Sequence, residues 1–212
     1  MIDNVNDIQL MYDMNVDKED DRLDRHQLEY DITLRFFDDY IPAGAVILEI
    51  GSATGRYTLR LAERGHTVTA VDFSKKQLEK CKARVTSAGL QKKVNFIVAD
   101  ARDLSDVPKE TFDVVLLMGP LYHLVVEADR QRALVEAFER LKPGGLIFSA
   151  LISQYGILGQ LLVSHQEWIE NQAEVRSILT YGRDPENTPE GGFRDYFCTL
   201  CEVTPLHESA GF

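Results

Sequence analysis

The sequence predicts an α/β fold of the doubly wound kind, a mostly parallel sheet with helices on both faces. Three observations carry that expectation. Short apolar runs recur at 45–50, 67–71, 94–98, 112–117 and 145–151, each the length of a buried parallel strand. Stretches with one apolar helical face fall between several of them. The connections are short and open on turn or capping residues, as in successive crossovers of one sheet.

Residues 1–16 are polar and read as an arm or short helix outside the core. Asp17-Lys-Glu-Asp-Asp-Arg-Leu-Asp24 is dense in acid, which suits the first turns of a helix. Leu23, Tyr30, Leu34, Phe37 and Ile41 continue that helix at helical spacing, and Pro42 and Gly44 end it. The first strand, 45–50, runs into a helix over 54–63 that closes at Gly65. After the second strand, Ser74-Lys-Lys-Gln77 forms a capping box, and Leu78, Cys81, Val85 and Ala88 line one helix face before Gly89. Residues 101–110 give no firm element, with room for a short helix in the crossover. Leu134, Ala137, Phe138 and Leu141 mark a helix that Pro143 stops.

Residues 152–195 break the alternation. They hold the single Trp168, an expected helix around 165–180 and a turn-rich piece over 182–192. An insertion this long is usually functional or mobile. Thr199-Leu-Cys-Glu202 then reads as a capping box. The chain ends at Ser209-Ala-Gly-Phe212, where a helix should give way to another strand, so a fragment lacking its last strands is expected. The expected organisation is one domain: a lid or helix (1–41), a ligand-binding core (42–151), a substrate-side insertion (152–195) and a truncated end (196–212).

The 212 residues suit one core, and 44% hydrophobic with 27% charged residues is ordinary for a folded domain. A formal net charge of −11 repels phosphate backbones, so nucleic acid is not expected as a partner. The basic cluster Lys75, Lys76, Lys80, Lys82 and Arg84 reads as a solvated helix face. No apolar run approaches the roughly 18 residues of a membrane span, and the N-terminus lacks the charged and apolar regions of a signal peptide. No membrane partner is expected, and a cytoplasmic location follows by default. Three cysteines are too few for a disulfide framework. Cys198 and Cys201 form a C-x-x-C without the second pair of a zinc site, and no metal site is read. A helix start would lower a thiol pKa there and so permit redox chemistry, but ordinary packing or exposed thiols explain the pair better, since it lies outside any thioredoxin-like context.

The chemistry gathers at three strand ends. Glu49-Ile-Gly-Ser-Ala-Thr-Gly55 takes a strand through a glycine-spaced turn into a helix. Glycines let backbone approach a ligand, and a helix start offers free N–H groups. Asp72 closes the second strand, where a carboxylate can take both hydroxyls of a ribose, and Asp100 closes the third. In an open α/β sheet these ends meet at the carboxyl edge, where ligands bind. With Ala53 and Arg56 in the turn there is no G-x-G-x-x-G dinucleotide fingerprint. Walker A and the G-x-S-x-G elbow are absent as well.

Leu48-Glu-Ile-Gly-Ser-Ala-Thr-Gly55 resembles the first motif of class I S-adenosylmethionine-dependent methyltransferases of the small-molecule type. Val71-Asp-Phe-Ser74, Val98-Ala-Asp-Ala101, Phe112-Asp-Val-Val-Leu-Leu-Met118 and Leu141-Lys-Pro-Gly-Gly-Leu-Ile-Phe148 resemble the following motifs, in order, over residues 40–150. The departure is Ser52-Ala53, where many members carry Cys-Gly or Gly-Gly, at some cost in backbone freedom. The resemblance implies S-adenosylmethionine as cofactor, S-adenosylhomocysteine as product, and a small-molecule methyl acceptor. It implies that Glu49 orients the glycine turn and the cofactor's amino group. Gly51 and Gly55, with Ser52 and Ala53 between them, admit the methionine moiety. Asp72 holds the ribose, Phe73 packs on adenine, Asp100 and Ala101 meet the adenine edge, and Met118 and Gly119 line the sulfonium pocket.

The sulfonium is already activated, so catalysis is mostly in-line positioning, plus loss of a proton for a hydroxyl or ammonium nucleophile. Tyr122 and His123, just past the fourth strand, are placed to supply or orient a base, although a structural histidine fits the same position. Arg22, His26, Glu29 and Thr33 share one face of the expected N-terminal helix. Segments before the first strand often cover the cofactor in the family resembled, which makes Tyr12, Arg22 and His26 lid candidates. A salt-linked surface stripe explains the same spacing. Tyr155, Trp168, Tyr181 and Tyr196 either wall a substrate pocket or pack as core. A protein or nucleic-acid methyltransferase, or a non-catalytic cofactor-binding protein, are the alternative readings.

Overall fold

The computed structural model describes residues 4–164, 167, 170–183 and 195–212, with the Leu23 side chain left out. Trp168 and most of the turn-rich piece therefore lie outside the described residues. Five strands form one sheet: β1 (Val46–Ile50), β2 (Thr67–Asp72), β3 (Val94–Val98), β4 (Phe112–Leu117) and β5 (Leu141–Ser149). All neighbours are parallel, in the order β3-β2-β1-β4-β5. The order reverses beside β1, so the ends of β1, β2 and β4 open a crevice there.

On one face pack α4 (Gln27–Tyr40), α5 (Arg56–Glu63) and α6 (Lys75–Ser87). Leu34, Phe37, Leu61, Leu78 and Val85 meet Ile47, Val68, Val114 and Leu116 of the sheet. On the other face, Leu121 of α7 (Pro120–His123) and Ala133, Leu134 and Ala137 of α8 (Glu127–Arg140) meet Leu48, Ile50, Val115 and Leu117. Alternate residues of each strand thus serve opposite cores, as period-2 geometry demands. Each fully buried Leu, Ile or Phe contributes about 1.5–3 kcal/mol by leaving water.

Several expected elements are placed differently. The N-terminal segment forms α1 (Asn6–Met14), α2 (Val16–Asp20) and α3 (Arg22–Arg25) before α4, not one helix from 17 to 41. His26, at φ −114° and ψ 49°, breaks the run. α1 also buries Ile8, so the arm is not outside the core. α5 starts at Arg56 because Gly55 has φ +80°, which no helix accommodates. Ser74 caps α6 through the Gln77 N–H, but the Gln77 side chain donates to the Tyr12 carbonyl and leaves the capping box half made. Residues 101–110 form turns rather than a helix. Pro143 does not stop α8, which ends at Arg140; the proline lies inside β5, beside a register shift against β4.

The basic cluster on α6 is not simply solvated. Lys80 pairs with Asp17 and Asp20, and Arg84 pairs with Asp20, while Arg56 of α5 pairs with Asp24. Ser74 Oγ donates to Asp13 at 2.5 Å and Gln9 Nε2 to the Phe73 carbonyl at 3.0 Å. The acid-dense segment is thereby latched across the crevice end of the sheet.

After β5 come β6 (Ile152–Ser153), α9 (Gln154–Ser164), α10 (Gln172–Tyr181), β7 (Phe197–Cys198) and α11 (Leu200–Glu208). β6 and β7 pair parallel as a second, small sheet. α9 falls where the sequence predicts no element. Thr199 and Glu202 complete the expected capping box of α11. Cys198 is buried and Cys201 exposed, and both are free. Burial pushes the Cys198 thiol up, against the expected lowering at a helix start. No described helix is long and apolar enough to cross a membrane.

Candidate active site

The turn after β1 is shaped by backbone signs that few residues accept. Gly51 and Gly55 both have φ +80°, and Ala53 has φ +46°. A side chain at Gly51 would meet Pro120, and one at Gly55 would meet Cys81 of α6. The glycines therefore serve close packing as well as turn geometry. Ala53 carries the cost of the Ser52-Ala53 departure, a left-handed residue with a Cβ. The Ser52 hydroxyl is buried there with no hydrogen-bond partner.

Asp72 at the end of β2 is buried. Its Oδ2 accepts from the Ala53 N–H and its Oδ1 from the Ser74 N–H, both at 2.8 Å. It thus ties the turn after β1 to the turn after β2. Burial pushes its pKa up to about 6 despite those hydrogen bonds. Glu49, in β1, is buried with one partner, the Thr58 hydroxyl at 2.5 Å, and burial pushes it up to about 8. Both carboxyls are raised by burial, as ligand sites commonly show.

One cleft of about 990 Å³, part of it open to solvent, joins these groups. Its lining includes Glu49, Gly51, Ser52, Ala53, Asp72, Phe73, Asp100, Ala101, Met118 and Gly119, all the residues expected on the cofactor side except Gly55. Gly55 itself lies behind the turn, against α6. Asp100 is engaged by Arg102, which bridges it to Asp129 of α8. Both of its carboxylate oxygens accept from Arg102.

The far end of the cleft is roofed by the N-terminal helices, which contribute Val5, Ile8, Tyr12, Glu19 and Arg22. Tyr122 and His123 of α7 form the floor there. The Tyr12 hydroxyl lies 2.7 Å from His123 Nε2. His123 Nδ1 lies 3.2 Å from Oδ1 of Asp195, a carboxylate that burial pushes up. Burial raises the Tyr12 and Tyr122 phenols as well. Arg22 pairs with Glu19 and Glu29.

His26 is exposed and does not line the cleft, because the break between α3 and α4 turns it away. Thr33 and Glu29 are separated from Arg22 by the same break, although Glu29 still reaches it. Tyr155 and Tyr181 are exposed, and Tyr196 packs flat under the Arg130 guanidinium. None of these three lines the cleft. Asp195 and Glu19 were not singled out by the sequence. Asp195 stands 72 positions from its histidine, beyond a turn-rich stretch with no periodicity, and Glu19 was one acid among many.

Residues 47–145 match the pattern of the methyltransferase-domain family. Methyltransferase GfsG of Streptomyces halstedii is 30% identical over 169 residues, covering 79% of this chain and 58% of that protein. The chain belongs to the class I methyltransferase family. The tRNA 5-carboxymethoxyuridine methyltransferase of Escherichia coli (strain K12) is 27% identical over 120 residues, covering 56% of this chain and 44% of that enzyme. This member of the family thus spans about half the length of the curated relatives it matches. A crystal structure of an S-adenosylmethionine-dependent methyltransferase from Methanosarcina mazei shares the fold with a TM-score of 0.65 at 24% identity, covering 82% of each chain. The family uses S-adenosylmethionine.

Proposed function

We propose that this chain moves a methyl group from S-adenosylmethionine to a small-molecule acceptor by in-line displacement. One observation carries the proposal: a single cleft runs from the carboxyls of Glu49, Asp72 and Asp100 to the Tyr12–His123 pair. The residues fit the cofactor. The turn at Gly51–Gly55 presents backbone at close range, the Ser52 hydroxyl lacks a partner, and the buried Glu49 can receive an ammonium. Glu49 would face the amino group, Asp72 the ribose, Phe73 and Asp100 the adenine, and Met118 with Gly119 the sulfonium. When bound, the cofactor supplies a methyl on a positively charged sulfur, an electrophile that needs no further activation.

The chain's own part is positioning. Pro120 against Gly51 fixes the floor beside the methyl-transfer side, and the α1–α2 roof limits what reaches it. An acceptor that fits beneath this roof is small, which together with the net charge of −11 favours a metabolite over a nucleic acid. His123, with Tyr122 beside it, is the base nearest the floor. The tRNA-modifying relative supports a second reading, in which a flipped nucleotide enters the same cleft.

Calorimetry with S-adenosylmethionine and S-adenosylhomocysteine, followed by a screen for S-adenosylhomocysteine release against a metabolite panel and bulk tRNA, tests both. Turnover with a metabolite supports the first reading, and turnover with tRNA alone supports the second. Cofactor binding with no turnover returns the chain to a non-catalytic role, and absent binding removes all three.

A further inference from the structure

Asp100 is not held by its strand. It falls two residues beyond β3, in a turn that the Asp103 N–H closes onto its carbonyl at 2.9 Å. A side chain in such a turn takes its direction from its partners, and Arg102 supplies them. The Arg102 main-chain N–H and its Nε donate to Asp100 Oδ1 at 2.9 and 3.0 Å, and its Nη2 donates to Oδ2 at 2.7 Å. Arg102 is in turn moored to the helix layer, because its Nη1 donates at 2.8 Å to Oδ2 of Asp129. Asp129 is 4% exposed and lies in the first turn of α8, where the helix dipole favours a carboxylate. One guanidinium thus fixes a loop carboxylate against a rigid element, and its planar fork sets direction in a way that a lysine's point charge does not. A carboxylate offers about four lone-pair sites. Two donors fill Oδ1, while Oδ2 holds Nη2 and only a longer share of the Nε–H at 3.2 Å. Room for one more N–H donor remains at Oδ2, on a side chain that lines the cleft and is 33% exposed.

We infer that Arg102, moored to Asp129, is a positioning residue for the purine base, and that it sets the preference of the cleft for a 6-amino over a 6-oxo purine. The inference rests on the methyltransferase reading and names the residue that makes the cofactor end of that same site selective. Adenine presents an N–H donor at position 6, which the remaining site on Oδ2 can receive. Hypoxanthine presents a carbonyl oxygen there, and a carboxylate facing a carbonyl leaves both without a partner. Hypoxanthine also carries an N–H at the neighbouring ring position. A carboxylate free to swing would turn to that donor and accept either base. Asp100 is not free to swing, because Arg102 grips both of its oxygens and is itself held by α8. Discrimination therefore lies in the mooring as much as in Asp100 itself.

Calorimetry of the full chain with S-adenosylhomocysteine and its 6-oxo analogue, S-inosylhomocysteine, tests this without any methyl acceptor. The native protein should bind the 6-amino ligand at least about tenfold more tightly. Arg102→Ala should bring the two affinities within about threefold of each other, the 6-amino ligand losing and the 6-oxo ligand holding or gaining. Asp129→Asn leaves Arg102 on Asp100 but weakens its mooring, and should lower the ratio part of the way. That variant carries the test if Arg102→Ala does not fold. The double variant should show no fall in the ratio beyond that of Arg102→Ala, because both changes act along one path. A merely structural Arg102 would weaken both ligands by the same factor and keep the ratio. That result, equal native affinities for the two ligands, or a ratio unchanged in either variant overturns the inference. Failure of the native protein to bind S-adenosylhomocysteine overturns the methyltransferase reading instead.

Discussion

Cofactor binding is expected to release protons at neutral pH, and Glu49 is their source. Burial holds its carboxyl at about 8 in the unliganded protein. At pH 7 such a group is about nine-tenths protonated. An ammonium placed against it returns it to the ordinary range near 4.3, where it is almost fully ionised. The difference is about 0.9 proton per site. The ligand's own amino group, with an ordinary pKa of about 7.7–8.0, takes back about 0.1–0.2. Net release is therefore about 0.7–0.8 proton at pH 7. At pH 9 Glu49 is already ionised and the amino group must gain a proton, so the sign reverses. Calorimetric titration in buffers of different ionisation enthalpy measures this directly. Asp72, at about 6, adds little at pH 7, where it is mostly ionised already. Glu49→Gln should abolish the release while weakening binding, since moving the carboxyl by this much corresponds to about 5 kcal/mol of coupling. A zero slope at pH 7 with tight binding, or an unchanged slope in Glu49→Gln, would refute the assignment.

The same two raised carboxyls set the pH dependence of the empty protein. Their contribution to stability is full below the ordinary carboxyl range and is lost as pH rises through about 6 and then about 8, so thermal melting without ligand should fall across that interval. Asp72→Ala should weaken cofactor binding by about 1–3 kcal/mol in calorimetry, and unaltered affinity would remove it from the ribose role. Gly55→Ala forces a Cβ toward Cys81 at φ +80°, and denaturant melts should show a loss of about 2–4 kcal/mol. With native protein, a thiol reagent should modify exposed Cys201 promptly and leave Cys81, whose pKa burial pushes up to about 12, untouched until unfolding. Raising salt toward 1 M should speed hydrogen exchange in α1 and α2 before any change in the sheet, because the latch pairs are exposed enough to be screened.

How much of this was legible in the sequence depends on how local each signal is. β3 and β4 match their apolar runs; β4 is buried along almost its whole length, whereas β3, at the sheet edge, buries only Val94. Glu49 and Asp72 lie at the ends of β1 and β2, and Asp100 falls two residues beyond β3 rather than closing it, yet parallel topology still brings the three together. Ser52-Ala53 was legible as a strained turn, and Ala53 takes the positive φ. Boundaries failed where tertiary contacts overrode local preference. Pro143 was expected to stop a helix, yet β5 begins at Leu141, opposite Phe112, with the proline at an irregular stretch of pairing. His26 was placed on a helical face that its own backbone interrupts.

The roof of the cleft was illegible for a different reason. An acid-dense segment at 17–24 and a basic cluster at 75–84 each look, alone, like a solvated helix face, and composition gives no sign that one answers the other. In the fold Asp17 and Asp20 meet Lys80 and Arg84, and Asp24 meets Arg56. These pairs carry α1 over the crevice and set Tyr12 against His123. Surface ion pairs are weak individually, so their value here is geometric rather than energetic. They decide which side chain roofs the cleft. That arrangement also explains why Tyr12 emerged as a lid candidate while its relation to Asp195 did not. The first needs only a helix before β1, whereas the second needs the N-terminal roof and the chain beyond α10 to close on the same histidine.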